Sequence, residues 1–368
     1  MSASTTSSAS IDAPANDPSV LGILVVRAAD PALRECLHAL ANQTYPTFGV
    51  LAIDDATGDD SHDLLVRALG EERVIRNDVP LGYTGSLAAA LALPVAAAAE
   101  HVLLLHGDTV LDTDSVANLI EATTLQGAER VGIVGAKVVD LDRARELRDV
   151  GRSVDRFGHA MSPLQPDEID QGQFDRVLQV LAVDGCAMLI ARPVWQAIGL
   201  YDERLGADDV DLCWRARLAG WQVLMTPRAR VQHGPPHADG NEALEHSARA
   251  EEDRVALARV LKNYGWVTLL WVVPLGIVLT LVRLLFLALA RRFEEAYELL
   301  AAVGWNLAHL GSTVRRRRRV QHDRAVRDRA LRHFTASAGL HIPRWFQTAE
   351  RILEIGRASC RERVCNGV

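Results

Sequence analysis

The feature that most constrains this chain is an alternation, starting at Leu21, of short apolar runs with amphipathic segments. LGILVV is followed by DPALRECLHALANQ, FGVLAIDD by SHDLLVRALG, and ERVIRN by the alanine-rich GSLAAALALPVAAAA, after which HVLLLHGD adds a further apolar run. Such runs, separated by stretches of helical periodicity, predict parallel strands joined by crossover helices: a doubly wound, mostly parallel α/β sheet. In sheets of this kind, ligand-binding groups collect at the carboxyl ends of the strands. Asp54 and Asp55 fall there after FGVLAI, and His106 to Asp108 fall there after HVLLL. A core strand thus delivers an imidazole and a carboxylate to the mouth of the sheet.

A second block continues with a strand at VGIVGAKVV, a variable polar loop through roughly residues 141 to 176, and a strand at VLAVDGCAMLIA. LGADDVDLCWRARLAGWQVLMTPRARVQHG follows. Here Asp208, Asp209 and Asp211 open an amphipathic helix that turns Leu212, Ala216 and Leu218 inward and ends at Gly220. Carboxylates suit a helix N-terminus because its free amides and dipole favour negative charge, which accounts for one or two of the three. The same dipole predicts a low pKa for Asp209. Neighbours one and two positions away do not share a helix face, so Asp208 and Asp211 are expected to point elsewhere.

With 368 residues, 49% of them hydrophobic and 24% charged, the chain can build a sizeable core. Residues 1–19 are small and polar and predict a disordered leader; no basic start with an apolar block marks a secretory signal, which places the catalytic part in the cytoplasm. Cys36, Cys186 and Cys213 sit singly in apolar patterns and are expected to be buried, and the absence of a CxxC pair argues against a zinc site or disulfide framework. No GxGxxG follows the first strand, which argues against a dinucleotide-dependent dehydrogenase. The net charge of −7 is uneven: from residue 261 onward 18 Lys and Arg face 8 Asp and Glu, so the rear is +10 and the front −17. Only the rear is suited to an anionic surface.

VVRAADPALRECLHALANQTYP, VLAIDDATGDDS, NDVPLGYTGSLAAAL, LLLHGDTVLD, VDGCAMLIARPVWQAIGLYDERL and ADDVDLCWRARLAGWQVLMTPRARVQH occur in the order and spacing of family 2 glycosyltransferases. The chain resembles that family over about residues 20 to 235. The resemblance implies a GT-A fold, a nucleotide-sugar donor and inverting transfer to the hydroxyl of a glycan or lipid-linked acceptor. It implies that Asp55, with Asp54 in the same turn, contacts the donor's base; a turn-capping role is the alternative. It implies that Asp108, the last carboxylate of the DxD motif, holds a Mg2+ or Mn2+ bridging the donor phosphates, and that His233 completes the metal shell or is structural. Asp209 matches the aspartate of the ED motif, the base that takes the acceptor's proton. The chain departs from the pattern at His106, where the first aspartate of DxD is expected; imidazole can bind Mn2+ or hydrogen-bond the donor's ribose. Asp208 replaces the glutamate of ED, and no QxxRW follows Trp221, which implies addition of a single sugar. The substitution at His106 also motivates a rival reading, a non-catalytic scaffold that keeps the fold.

WVTLLWVVPLGIVLTLVRLLFLALA, residues 266–290, is long enough to cross a bilayer of roughly 30 Å but is interrupted by Pro274, Gly276 and Arg283. Arg291, Arg292 and the run Arg315 to Arg319 flank a stretch with three glutamates, so a single crossing would put both basic clusters outside, against the usual tendency. The expectations are a re-entrant or interfacial hairpin bent near Pro274, a true span paired with another segment absent from this chain, or a buried helix of a soluble fold. Residues 20–262 are thus expected to form the catalytic domain and 263–353 a membrane-associated basic region. The partners expected for the rear are membrane lipids at the cytoplasmic face, with Arg315 to Arg319 on anionic headgroups rather than nucleic acid. Finally, EIGRASCRERVC reads as a translated sequencing adapter, so residues 354–368 are expected to be non-native and the gene to continue beyond about Leu353.

Overall fold

The computed structural model describes residues 19–27, 31–125, 130–234 and 242–335, with the side chains of 242–249 left out. Most of the expected leader and all of the suspected adapter tail lie outside the described residues. The first half alternates as the pattern requires: β1 (Val20–Val26), α1 (Leu33–Ala41), β2 (Phe48–Asp54), α2 (Ser61–Leu69), β3 (Val74–Arg76), α3 (Gly82–Leu91), α4 (Pro94–Ala98) and β4 (His101–His106). The alanine-rich segment is two helices instead of one. Pro94 has no amide to donate, and it opens α4 at a position where none is needed.

The second half runs β5 (Thr109–Leu111), α5 (Ser115–Thr123), β6 (Val131–Asp140), β7 (Leu147–Asp149), β8 (Ser153–Val154), β9 (Ala160–Met161), β10 (Leu178–Gln179), β11 (Ala187–Ala191), α6 (Arg192–Ile198), α7 (Asp209–Leu218) and β12 (Gln222–His233). The main sheet has the order β10-β12-β6-β11-β4-β1-β2-β3. It is parallel from β3 through β2 and β1 to β4, as expected, and mixed beyond, because β11 is antiparallel to both β4 and β6. The apolar run VLAVDGCAMLIA supplies only the five residues of β11; the ladder begins after Asp184-Gly185, which turn the chain toward the mouth of the sheet. β12 shifts register between Thr226 and Arg230 around Pro227, which cannot donate to a ladder. Side chains from β1 and β4 alternate between two apolar cores, one on each face of the sheet. Cys36, Cys186 and Cys213 are buried thiols within those cores, none of them in a disulfide.

Behind α7 lies a helical layer: α8 (Glu242–Asn263), α9 (Trp266–Leu289), α10 (Phe293–Ala308) and α11 (Leu310–His322). It is fastened to the sheet domain by buried ion pairs, so a boundary at residue 262 falls inside a packed interface. Arg259 donates to Asp208 through Nε at 2.7 Å and Nη2 at 2.8 Å, while Lys262 Nζ lies 3.0 Å from Asp202 and 2.8 Å from Asp211. Two arginines of the basic run are used here. Arg316 pairs with Asp202, and the buried Arg317 donates to the carbonyls of Leu261 and Tyr264, satisfying the C-terminal acceptors of α8. Only Arg315, Arg318 and Arg319 of the five are exposed. Pro274 does not bend the rear segment into a hairpin, because α9 is continuous across it. Nor is α9 a buried core helix: it is the one described helix long and apolar enough to cross a membrane, and only 11% of its most apolar window is buried.

Candidate active site

Three chain segments meet where the carboxyl ends of β4 and β12 lie beside the amino end of β11, which runs antiparallel to β4. β4 ends on His106, and Asp108 lies in the turn that follows; β12 ends on His233. His106 Nδ1 is 3.4 Å from His233 Nε2, and the same His233 nitrogen is 3.2 Å from Asp108 Oδ1. Gly234 allows the close approach, since a Cβ there would lie 2.9 Å from Asp108 Oδ2. Burial pushes the His106 pKa down and favours neutral imidazole. Burial acts in the same sense on His233, but its bond to Asp108 outweighs that and raises it. Asp108 is lowered, the hydrogen bond from His233 overcoming its burial. Two imidazole nitrogens and a carboxylate oxygen therefore converge within 4.8 Å of one another, a donor set able to hold a divalent cation.

The second station is the N-terminus of α7, and it sorts the three aspartates. Asp208 caps the helix by accepting from the Asp211 amide at 3.1 Å and is closed off by Arg259. Asp211 is spent on Arg215 at 2.8 Å, Lys262 and Asn263. Only Asp209 faces the mouth of the sheet. Its Oδ1 accepts from the Tyr201 hydroxyl at 2.7 Å and its Oδ2 from the Gly185 amide at 3.0 Å. Glycine at position 185 leaves room for this arrangement, because a Cβ there would lie 2.5 Å from Asp209 Oδ1 and 2.9 Å from the Tyr201 hydroxyl and displace them. The dipole expectation for Asp209 is overturned: burial, reinforced by the nearby Asp184 carboxylate, lifts its pKa to about 7. In a site this dry the desolvation cost of the charge exceeds what a helix end returns.

Between the stations sit residues that local patterns did not single out. Asp184 accepts from the Cys186 amide at 2.9 Å and pairs with Arg152, which also pairs with Asp149 and lies 3.9 Å from Asp209 Oδ2. Burial raises the Asp184 carboxyl, but Arg152 holds it well below the ordinary range. Tyr83 packs edge-on against His106 with ring centroids 5.0 Å apart and is 6.1 Å from Tyr201, so an aromatic wall links the histidines to the Asp209 station. The sequence signal for Asp184 was the Asp-Gly pair interrupting an apolar run; for Arg152, inside the expected polar loop, there was none.

Asp54 and Asp55 divide. Asp54 is turned to Thr57, His62 and Arg76 and does not join the other predicted site residues. Asp55 accepts four hydrogen bonds at 2.8 Å, from Asn77, Ser86 and the amides of Leu81 and Gly82, so it holds the start of α3, which carries Tyr83. Together these bonds lower its pKa against the effect of burial.

The sequence profile described as glycosyltransferase-like family 2 matches residues 18–251. The chain belongs to this family. An uncharacterized protein of Mycobacterium tuberculosis is 29% identical over 170 residues, covering 45% of this chain and 58% of that one. Another, of Sinorhizobium fredii, is 26% identical over 226 residues, 57% of this chain and 24% of its own length. The chain thus spans less than two thirds of the length of either relative. Among solved structures, GalNAc-T7 with UDP, GalNAc and Mn2+ superposes with a TM-score of 0.50 at 16% identity, covering 67% of this chain and 51% of that one. The mannosyltransferase PcManGT from Pyrobaculum calidifontis, in complex with GDP-Man and Mn2+, gives 0.48 at 17% identity over 79% and 75%. At these identities the likeness is one of fold, and the fold is that of GT-A glycosyltransferases.

Proposed function

We propose that this glycosyltransferase transfers one sugar, with inversion, from a nucleotide-sugar donor to an acceptor hydroxyl, and that Asp209 is the base. The observation that carries the reading is the separation of two stations at one mouth of the sheet: a His-Asp-His cluster suited to a diphosphate's cation, and the Asp209 carboxylate, whose pKa of about 7 matches proton abstraction near neutrality. His106, Asp108 and His233 would hold the cation, which stabilises the charge on the leaving nucleoside diphosphate. Two imidazoles beside one carboxylate suit Mn2+ better than Mg2+, which prefers an all-oxygen shell.

The chain's own groups supply the remainder. Asp55 fixes the turn that carries Tyr83, and Tyr83 supports His106. Tyr201 and the Gly185 amide hold both oxygens of Asp209, so its remaining lone pairs are available to an acceptor proton. As the acceptor oxygen bonds to the anomeric carbon, its proton passes to Asp209 and the carbon–oxygen bond to the nucleoside diphosphate breaks with its electron pair. Attack opposite the leaving group inverts the anomeric centre. The enzyme works at the cytoplasmic face of the membrane, on an acceptor used in envelope polysaccharide or glycolipid assembly; the exposed apolar helix α9 supports this placement.

The test is calorimetric titration with UDP, GDP and dTDP sugars, with and without Mn2+. One donor class should bind in a Mn2+-dependent way; Asp108→Ala should abolish that dependence, and His106→Asp should preserve or strengthen it. Unchanged Mn2+ dependence in Asp108→Ala contradicts the cation assignment, and no binding of any donor would support the non-catalytic scaffold instead.

A further inference from the structure

We infer that α9, with the outer faces of α10 and α11, lies flat in one leaflet of an anionic bilayer instead of crossing it. Length does not decide between the two, because 24 helical residues extend ~36 Å, enough for either. Packing does. Along α9 buried or half-buried residues recur every three or four positions from end to end: Leu269, Val272, Gly276, Leu279, Arg283 and Leu287. A helix that leaves a domain to cross a membrane loses such contacts after its first turns; this one keeps a single stripe against the domain throughout.

The stripe is fastened at several points. The Gly265 amide and the Thr268 hydroxyl both donate to Asp328, at 2.8 and 2.5 Å. Arg156 lies 6.0 Å from the centre of the Trp271 ring. Arg283, the only charge within α9, is turned inward to Asp253 at 2.8 Å, and Asp253 also accepts from His159 at 3.1 Å. After α9 the chain reverses through Arg291, in the left-handed region at φ 57°, and returns as α10. The buried Asn306 of α10 then donates to the Arg254 carbonyl of α8 at 2.9 Å. Both ends of α9 are therefore tied to one body, and a crossing would require these bonds to break.

The opposite face carries no charge along α9: Trp266, Val267 and Leu270 are 73–80% exposed, as is Leu289 at the far end. α10, packed beside α9, exposes Phe293, Tyr297, Leu300 and Leu307 together with the single exposed carboxylate Glu294, and Arg291, Arg315, Arg318 and Arg319 are exposed on the same helical layer. An apolar face on a layer that also exposes four arginines matches acyl chains bordered by anionic headgroups. A second copy is a poorer occupant, since a twofold contact would set the arginines of one copy against those of the other.

This rests on the membrane placement proposed above, and the experiment separates the two. The full chain carrying Ala290→Cys, with Cys360→Ser and Cys365→Ser, is expressed and sealed inside-out vesicles are treated with a membrane-impermeant maleimide. The flat arrangement predicts labelling at position 290 without detergent, and flotation with phosphatidylglycerol vesicles that falls at least tenfold in Leu270→Glu/Leu281→Glu. Vesicle-bound chain labelled only after detergent keeps the membrane placement and overturns the flat orientation. A chain found wholly in the soluble fraction, as a monomer or as a dimer through this face, overturns both.

Discussion

Buried charge is abundant both in the helical layer behind α7 and in the cleft in front of it, but it is balanced differently. In the layer each named carboxylate meets cations: Asp208 meets Arg259, Asp211 meets Arg215 and Lys262, and Asp202 meets Lys262, Arg204 and Arg316. Asp202 and Asp211 are held low despite burial, while burial still lifts Asp208. In the cleft, Asp149, Asp184 and Asp209 share one guanidinium, that of Arg152, and burial raises both Asp149 and Asp209. On the proposed mechanism, the difference separates charges that hold the fold together from charges kept ready to react. A carboxylate locked to a cation is a poor base, and one left short of cations pulls a proton from its surroundings.

The larger effect is expected on the structural side. Lys262→Met removes the cation shared by two buried carboxylates, which keep Arg215, Arg204 and Arg316, and should cost about 1.5–3 kcal/mol, the scale for a lost hydrogen bond to a charged group, visible as a lower denaturation midpoint. A midpoint equal to wild type would show that the layer does not depend on its ion pairs. On the cleft side the effects are smaller and appear in pH dependence. A base with a pKa of about 7 must lose its proton to act, so nucleoside diphosphate release should fall as pH drops through that value. Asp184→Asn removes the like charge that raises Asp209 and should move this acid limb to lower pH. Tyr201→Phe removes a hydrogen bond that favours the ionised form and should move it to higher pH. Two unshifted limbs would mean that the titrating group is not Asp209.

Much of the fold was legible because period and punctuation are local. The four parallel strands, the Gly220 stop and the buried cysteines all follow from residues near one another in sequence. The cluster of His106, Asp108 and His233 was legible only through the ordered family resemblance, since position 233 is distant in sequence and its neighbours do not reveal its partners. What escaped was pairing. Arg317 looks like one of a run of surface arginines until the carbonyls at the end of α8 are placed against it. Arg152 sits in a stretch with no periodicity, and its partner Asp184 is 32 positions away. The Asp209 pKa failed for a related reason: the dipole of its own helix is a local property, whereas its burial and the Asp184 carboxylate come from the assembled fold.

In the proposed mechanism Asp209 serves proton transfer and not donor binding or folding. Asp209→Asn keeps the shape and removes the basicity, and at pH 8 it also removes a buried carboxylate whose raised pKa makes its ionised form a cost to the fold. Nucleoside diphosphate release, donor affinity in Mn2+ and the denaturation midpoint should be measured side by side on this variant. The account predicts release reduced by roughly 10²-fold or more, with affinity unchanged and the midpoint no lower than wild type. Release near the wild-type rate from Asp209→Asn, with a folded Asp208→Asn or Asp211→Asn inactive, would contradict it.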